Sequence, residues 1–480
     1  MNRALVTPGV PPASPFRANP MASPSVTPFA SPAAPDLPVA ADPWARVPAI
    51  LARLGEPLFS GGDYLATDFG AAGDGRGDDQ AALQRAIDAC ADGGGGRVIV
   101  PPGDYLTGPL RLRHRVNLHV GAGAMLRFVT DSCRFSRPTR TRWEGVECMG
   151  LSPAIYACEQ TQVAVTGAGV LDGQAGAGRW WDWAGPWDGA EPTGWAPGQP
   201  DQRPARRRLL EWGEAGVPVD RRVLPTADRL RPMFLEFFRC RDVLVEGVTV
   251  RNTPMWAIHP VLCQGVTVRR VQVVSRGPNN DGCVVDSCRD VLVEDCFFDT
   301  GDDCIAIKAG RNRDGWRVDT PAADVIIRGC RMLGGHSAVA LGSEISGGIR
   351  RVFIERCVLE GAALDHVLRI KANSARGGAV EQVCLREVTA DQVREAAVRI
   401  NLVYDGAEER GDRPPQVREL EIDHLFCRAS GRAVWIEGLP ERPIRDLRIR
   451  HSGFGRVAEA NVLRHVEGFA VEGTDFPPPA

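Results

Sequence analysis

The sequence predicts an all-β chain folded as a single-stranded parallel β-helix, a solenoid with a short N-terminal helix cap, and three observations carry that reading. Short strands of one pattern, such as Val-Leu-Val at 243–245 and Val-Thr-Val at 266–268, recur from Val243 onward with starts 23, 25, 34, 27, 31, 37 and 27 residues apart. A near-constant strand motif at irregular intervals of this size is what stacked coils with variable loops produce. The connections lack the short Asn-Gly type turns that a sandwich of hairpins would need. The cysteines keep the same register: Cys240, Cys263 and Cys288 stand three residues before Val243, Val266 and Val291, and Cys296, Cys330 and Cys357 stand five after Val291, Val325 and Val352. Stacked coils put like positions ~4.8 Å apart, so these read as internal ladders of small buried side chains, at a spacing that disulfides would also permit.

Taken in order, residues 1–41 are rich in Pro, Ala and Ser, without a sustained apolar core for a signal peptide, and read as disordered. Residues 42–480 read as one catalytic solenoid. Residues 42–54 allow a short helix that Pro48 would kink or shorten, and the alanine-rich stretch 81–90 reads as the capping helix, stopped by Gly93 to Gly96. Strands follow at 97–100, 116–120 and 163–165, then at the recurring positions through 447–449. The Trp-, Pro- and Arg-rich stretch 184–230 is too long for an ordinary connection and reads as a loop insertion placed to shape or close one end of a binding face.

Composition narrows the function. Net charge is -3 and the pI is near 6.3, which does not point to nucleic acid, so an acidic substrate would need a local basic patch. No apolar run approaches a membrane span. Of 57 basic residues only Lys308 and Lys371 are lysines, and both fall within 279–371, the stretch that also holds Asn279-Asn280-Asp281, Asp302-Asp303, Gly335-His336 and Arg369-Ile-Lys371.

Counting from strand starts, Asp302 is eleven residues after Val291 and His336 eleven after Val325, so the two are expected to stack on adjacent coils, with Lys308 and Lys371 in one column. Alternation then assigns Val284, Ile305, Ile307, Val339, Leu341, Leu368 and Ile370 to the inward face. Cys304, Ala306, Ala338, Ala340 and Arg369 fall on the outward face, flooring a groove bounded by acids and bases. Asp302 and Asp303 on one ideal strand would diverge, so a bend is expected there. Three crowded carboxylates cannot all ionise easily, so one can serve as an acid while its neighbours activate water. Arg369, Lys371 and Lys308 would bind carboxylates of an extended polymer, and Trp256 and His259, one coil earlier, are candidates to line the groove.

Asn280-Asp281, Asp302-Asp303, Gly335-His336 and Arg369-Ile-Lys371, in this order, resemble the polygalacturonases of glycoside hydrolase family 28, most of all the bacterial members, with further likeness in Gly169-Val-Leu-Asp-Gly173, Trp180-Trp181 and Arg231-Pro232. The resemblance implies a right-handed parallel β-helix that hydrolyses α-1,4-galacturonosyl linkages by single-displacement inversion. It implies Asp302 as general acid, Asp281 and Asp303 as holders of the water, and His336 as the group tuning the acid. Arg369 and Lys371 would bind the uronate, with Asn280 and Tyr404 as further substrate contacts. The departures from the family pattern are Asn280 for Thr and Ser337 for Gly. No metal or cofactor is expected. The expected partner is a pectic polysaccharide or oligogalacturonide bound by a monomer, met in the periplasm or outside the cell, with attack from a chain end if the insertion closes the groove. Alternatives are a rhamnogalacturonan or xylogalacturonan hydrolase, a calcium-dependent lyase, and a non-catalytic carbohydrate-binding β-helix.

Overall fold

The computed structural model describes residues 42–189, 191–404 and 410–479. The segment 1–41, expected to be disordered, lies outside the described residues. From Asp42 onward the chain forms one compact unit, in which the recurring strands stack as expected. Val163, Val243, Val266, Val291, Val325, Val352, Val383, Leu420 and Leu447 pair in succession, always in parallel. All of them are buried.

A device invisible to hydrophobic patterning holds this register. The residue just before each rung has positive φ, from +54° at Gln162 to +71° at Gly265, with Asp242, Asp290, Asp324 and Asp446 at +55° to +59°. A left-handed residue there turns the chain so that the next side chain enters the core, and Asp tolerates that conformation better than most residues. The bend skips one residue of pairing in every coil, as between the pairs Arg241 with Gln264 and Val243 with Val266.

Two more parallel sheets complete each coil, which winds right-handed as parallel crossovers of twisted strands require. One runs through Leu110–Arg111, Ile155–Cys158, Leu235–Phe238, Ile258–Val261, Cys283–Asp286 and Ile305–Lys308, and continues into the ends of Arg331–Gly342, Val358–Lys371, Ala379–Asn401 and Gln416–Glu437. We call it the site sheet. Among the named strands of the described residues only one pairing is antiparallel, the hairpin of Thr139–Trp143 with Val146–Gly150.

Helix α1 (Val47–Arg53) follows a 3-10 turn at Pro43–Arg46. Pro48 neither kinks nor shortens it, because it stands in the first turn, where its missing N–H would have had no partner. Ile50 packs on Leu292, Ile326 and Phe353, outside the valine ladder. Helix α2 (Gln80–Asp92) is the cap: Leu83, Ala86, Ile87 and Cys90 enter the main core at the N-terminal end of the stack.

One expected facing is displaced by a residue. Cys283, not Val284, pairs with Ile305, so Cys283 and Val285 point into the core while Val284 joins the outer column of Ala306, Ala340 and Arg369. Cys304 and Ala338, expected on the outer face, also belong to the core. The cause is the bend at 301–303, where the chain leaves strand geometry and resets the alternation. All fourteen cysteines are free. The Cys263 and Cys288 sulfurs instead accept the N–H groups of Cys240 and Cys263, each at 3.3 Å.

The 184–230 insertion is more than a loop, since it contains helix α3 (Arg203–Ala215) and short 3-10 turns. With the hairpin and helix α4 (Asn312–Val318) it covers part of the site sheet from outside. Ala205 and Leu209 of α3 join Trp143, Val146, Trp256, Val284 and Ala306 in a second apolar cluster.

Replacing Ile327, fully buried in the main core, with Ala is expected to cost about 2–5 kcal/mol by leaving a cavity. The exposed Val358→Ala should stay within about 0.5 kcal/mol. Urea unfolding midpoints of the two variants check this, and equal midpoints would contradict the assigned core.

Candidate active site

The site forms where the site sheet emerges from under its roof. Counting back two residues from the paired Cys283 and Ile305 sets Asp281 against Asp303. Asp302 stacks on His336, as the register implied: His336 N donates to the Asp302 carbonyl at 3.1 Å, and His336 Nδ1 lies 3.2 Å from Asp302 Oδ1. The bend at 301–303 turns both neighbouring carboxylates the same way, so one oxygen each of Asp281, Asp302 and Asp303 lie within 4.8 Å of one another. Gly335 makes the approach possible. With φ at +145°, a Cβ there would sit 2.4 Å from the Asp302 carbonyl oxygen.

The three acids are not equivalent. Asp303 and Asp281 are buried, whereas the Asp302 side chain is 15% exposed beside His336 at 39%. Burial opposes ionisation of Asp303, but Lys371 Nζ at 2.9 Å outweighs it and holds the carboxyl below its usual range. Burial likewise opposes ionisation of Asp302, and the His336 imidazolium, with Lys371 and Lys308 behind it, outweighs that too. Asp281 has no such partner, so burial and the charge of Asp302 push it well above the carboxylate range. Of the three acids, Asp281 therefore holds a proton most readily. Asp302 in turn raises His336 to about 9.

Arg369 and Lys371 face the ring of Tyr404, at 5.4 and 5.6 Å from its centroid. Lys371 is committed to Asp303. Arg369 has no carboxylate partner among the described residues, and its buried Nε makes no hydrogen bond. A partly buried, unpaired guanidinium is prepared for an incoming anion. Next to the acids, a cleft of about 700 Å³ is lined by Trp187, Arg276, Asp299, Gly335, His336 and Arg394, with Trp187 of the insertion 6.4 Å from the His336 ring.

Three expected substrate contacts lie elsewhere. His259 is wholly buried, 3.9 Å from both Glu236 and Asp286 and edge-on to Trp256 at 4.8 Å. It sits beneath the roof and does not reach the cleft. Asn280 is buried as well: its Oδ1 accepts from Gly277 N at 3.0 Å and Ser275 Oγ at 2.7 Å, and its amide donates to the Thr253 carbonyl at 3.1 Å. It fixes the turn that aims Asp281. Lys308 shares the column of Lys371 through Gly342, but its ammonium binds Glu344 at 2.8 Å and the Gly342 carbonyl at 2.9 Å over the Trp256 ring, acting on Asp281 only through its field.

Sequence reasoning also passed over Arg231 beyond its motif. Buried completely, it donates to the carbonyls of Pro254 (3.0 Å) and Pro278 (2.6 Å), to Asn279 Oδ1 (2.5 Å) and to Gln202 (3.0 Å) beside α3. It thereby joins the insertion to the Asp281 turn. An arginine among prolines was the available signal, but its partners are distant in sequence.

The roof closes one end. Thr141 donates to Glu236 at 2.6 Å, Arg142 pairs with Asp286 at 2.8 Å and Trp143 Nε1 donates to the Arg231 carbonyl at 3.0 Å, so the hairpin lies across the coils that precede Asp302. Two described groups have donor sets compatible with a cation. The three site aspartates already face Lys371 and the His336 imidazolium, and Asp423 and His424 lie in strand Gln416–Glu437 beside His451, which follows strand Ile444–Arg450.

His336 titrates with its folded-state pKa raised to about 9 from about 6.5. Its stabilising contribution is complete below about pH 6.5 and is lost as pH rises through about 9. Wild type should lose stability over that window more than His336→Ala does, which denaturant titrations at several pH values would reveal.

A profile for glycosyl hydrolases family 28 matches residues 224–424, and one described as rhamnogalacturonase A/epimerase, pectate lyase-like, matches 65–136. The crystal structure of a hyperthermoactive exopolygalacturonase from Thermotoga maritima is 39% identical, superposes with a TM-score of 0.85 and aligns over 89% of this chain and 95% of that one. A probable polygalacturonase of Vitis vinifera is 27% identical over 85% of this chain and 78% of its own length. An exo-poly-alpha-D-galacturonosidase of Dickeya chrysanthemi is 26% identical over 70% and 56% respectively. Four acid and base motifs in one register, on a fold shared over nearly its whole length with an enzyme 39% identical, lead to one conclusion: the chain belongs to glycosyl hydrolase family 28.

Proposed function

We propose that this protein hydrolyses α-1,4-galacturonosyl linkages of polygalacturonate or its oligosaccharides, removing residues from a chain end. The observation that carries the substrate reading is Arg369, a partly buried guanidinium without a carboxylate partner among the described residues, beside Lys371 and Tyr404 at the edge of an acid trio. That arrangement suits a carboxylate on the sugar at the cleaved bond and argues against a neutral sugar there. Exo action is supported by the roof, which occupies the groove on the side preceding Asp302, and by likeness to exo-acting relatives.

Asp302, the one partly exposed acid of the trio, is assigned the general acid role at the glycosidic oxygen. In the free site Asp281 is the acid that holds a proton most readily. The incoming uronate brings another negative charge and expels water, which favours protonation of the acid it approaches. Moving that proton from Asp281 to Asp302 arms the acid and leaves Asp281 and Asp303 as the carboxylates that hold and deprotonate the water. His336 keeps Asp302 oriented. The trio is tighter than the roughly 6.5–9.5 Å usual between the two carboxyl groups of inverting enzymes; the inverting outcome rests on family membership. A polymeric substrate supports work in the periplasm or outside the cell, by a monomer.

Incubation with polygalacturonate, with and without EDTA, tests the reading. Monouronic acid released at the same rate in both is expected. Mixed oligomers would overturn exo action, a 4,5-unsaturated product would indicate a lyase, and no product would sink the enzymatic reading. Proton NMR of the first product should show the inverted anomer. Asp302→Asn should lose about 10²–10⁴-fold in kcat. Arg369→Ala should lose roughly 10- to 100-fold in kcat/KM, the worth of a charge-assisted hydrogen bond.

A further inference from the structure

The site sheet carries a second cleft, on the far side of the hairpin from the acids. It encloses about 460 Å³ and is lined by Arg111, Arg113, Arg134, Arg137, Tyr156 and Gln160 among others. Two of the four guanidinium groups are neutralised, Arg113 by Asp88 at 3.3 Å and Arg134 by Asp78 at 2.8 Å. Arg111 and Arg137 have no carboxylate partner among the described residues. Arg111 donates to the Thr139 hydroxyl at 2.9 Å and lies 5.5 Å from the centroid of the Tyr156 ring. Burial and the charge of Arg137 both disfavour its protonated form. Gln160 Oε1 is buried there without a partner. In a chain of net charge -3, the half-buried Arg111 and the exposed Arg137, with the unpaired amide oxygen and the aromatic ring, form a set that something anionic and hydroxyl-bearing would complete.

We propose that this cleft is a secondary binding site for a carboxylated oligosaccharide segment, holding the acidic polymer apart from the point of cleavage. The ligand class rests on the galacturonan reading above. The guanidinium forks match carboxylates, and Gln160 can accept from a sugar hydroxyl. Arg111 and Tyr156 pair across adjacent coils of the site sheet itself. The cleft lies five coils before that of Ala306 by way of Tyr156, Glu236, His259 and Val284, hence roughly 24 Å from the acids at ~4.8 Å per coil. The roof interrupts the sheet between the two, so one short oligosaccharide cannot occupy both. A long or branched polymer can, and a second foothold raises its effective concentration without touching the chemistry.

The test uses the full chain with Arg137→Glu, an exposed position, and Arg111→Gln. Digalacturonate turnover should be unchanged, while KM for long polygalacturonate should rise about 5- to 10-fold. In the non-hydrolysing Asp302→Asn background, titration with tetragalacturonate should show a second, weaker equivalent that Arg137→Glu abolishes, whereas maltotetraose shows none. Unchanged polymer KM and an unchanged number of bound equivalents would overturn the proposal. So would inorganic phosphate binding in place of tetragalacturonate, which would make the cleft a simple anion site. If the wild-type protein cleaves no galacturonan but still loses a bound tetragalacturonate in Arg137→Glu, the proposed function fails and the secondary site stands. Normal cleavage with both Arg variants behaving as wild type gives the reverse. Unfolding midpoints within a degree of wild type establish that the variants fold, and Arg137→Ala replaces Arg137→Glu should that one not.

Discussion

Parallel stacking of coils in strict register is the constraint on which everything else in this protein depends. Successive coils lie ~4.8 Å apart, so a residue type repeated at one position of the coil becomes a continuous column. Core columns gain by this, because the rungs from Val163 to Leu447 form one buried strip. Charged columns do not. Setting Asp281 against Asp303 and Asp302 against His336 brings three carboxylates within 4.8 Å, and the site exists only because cations share the same register.

Those cations explain the distribution of protons better than they explain stability. Buried ion pairs such as Lys371 with Asp303 regain little more than their desolvation cost. Their effect is to make three chemically identical side chains different, one held as an anion by Lys371, one partly exposed beside an imidazolium, and one left the readiest to take a proton for want of a partner. A compact ammonium fits the column position at Lys371, paired with Asp303, while the planar fork at Arg369 has no carboxylate partner among the described residues. This division accounts for the placement of one of only two lysines.

The roof is the second layer of organisation. Hairpin and α3 form an apolar cluster outside the coils, α4 joins them through Asp314, which accepts from Glu147 N and pairs with Arg222, and the hairpin is anchored to the coils by buried polar contacts, Thr141 to Glu236 and Arg142 to Asp286. The cover turns an open groove into one that begins at the acids, and it leaves the arginine cleft stranded on the same sheet beyond it. The proposed end-preference and the separation of the two arginine-bearing clefts thus trace to one structural addition.

The repeating Val-x-Val strands, the cysteine ladders and the column shared by Lys308 and Lys371 were readable from residue order, because each depends on period alone and the coil imposes one period on all of them. Asp281, Asp302, Asp303, His336, Arg369 and Lys371 could be gathered into one site on the same basis, since spacing from a strand start becomes position on the coil, whereas Tyr404 entered only through the family resemblance. The facing of Val284, Cys304 and Ala338 could not, because the bend at 301–303 resets alternation by one residue and no local pattern encodes where. Nor could the fates of His259, Asn280 and Lys308. Their columns are right, but what covers or binds them, the hairpin at 139–150, the carbonyl of Thr253 and the carboxylate of Glu344, comes from elsewhere in the chain and meets them only after folding.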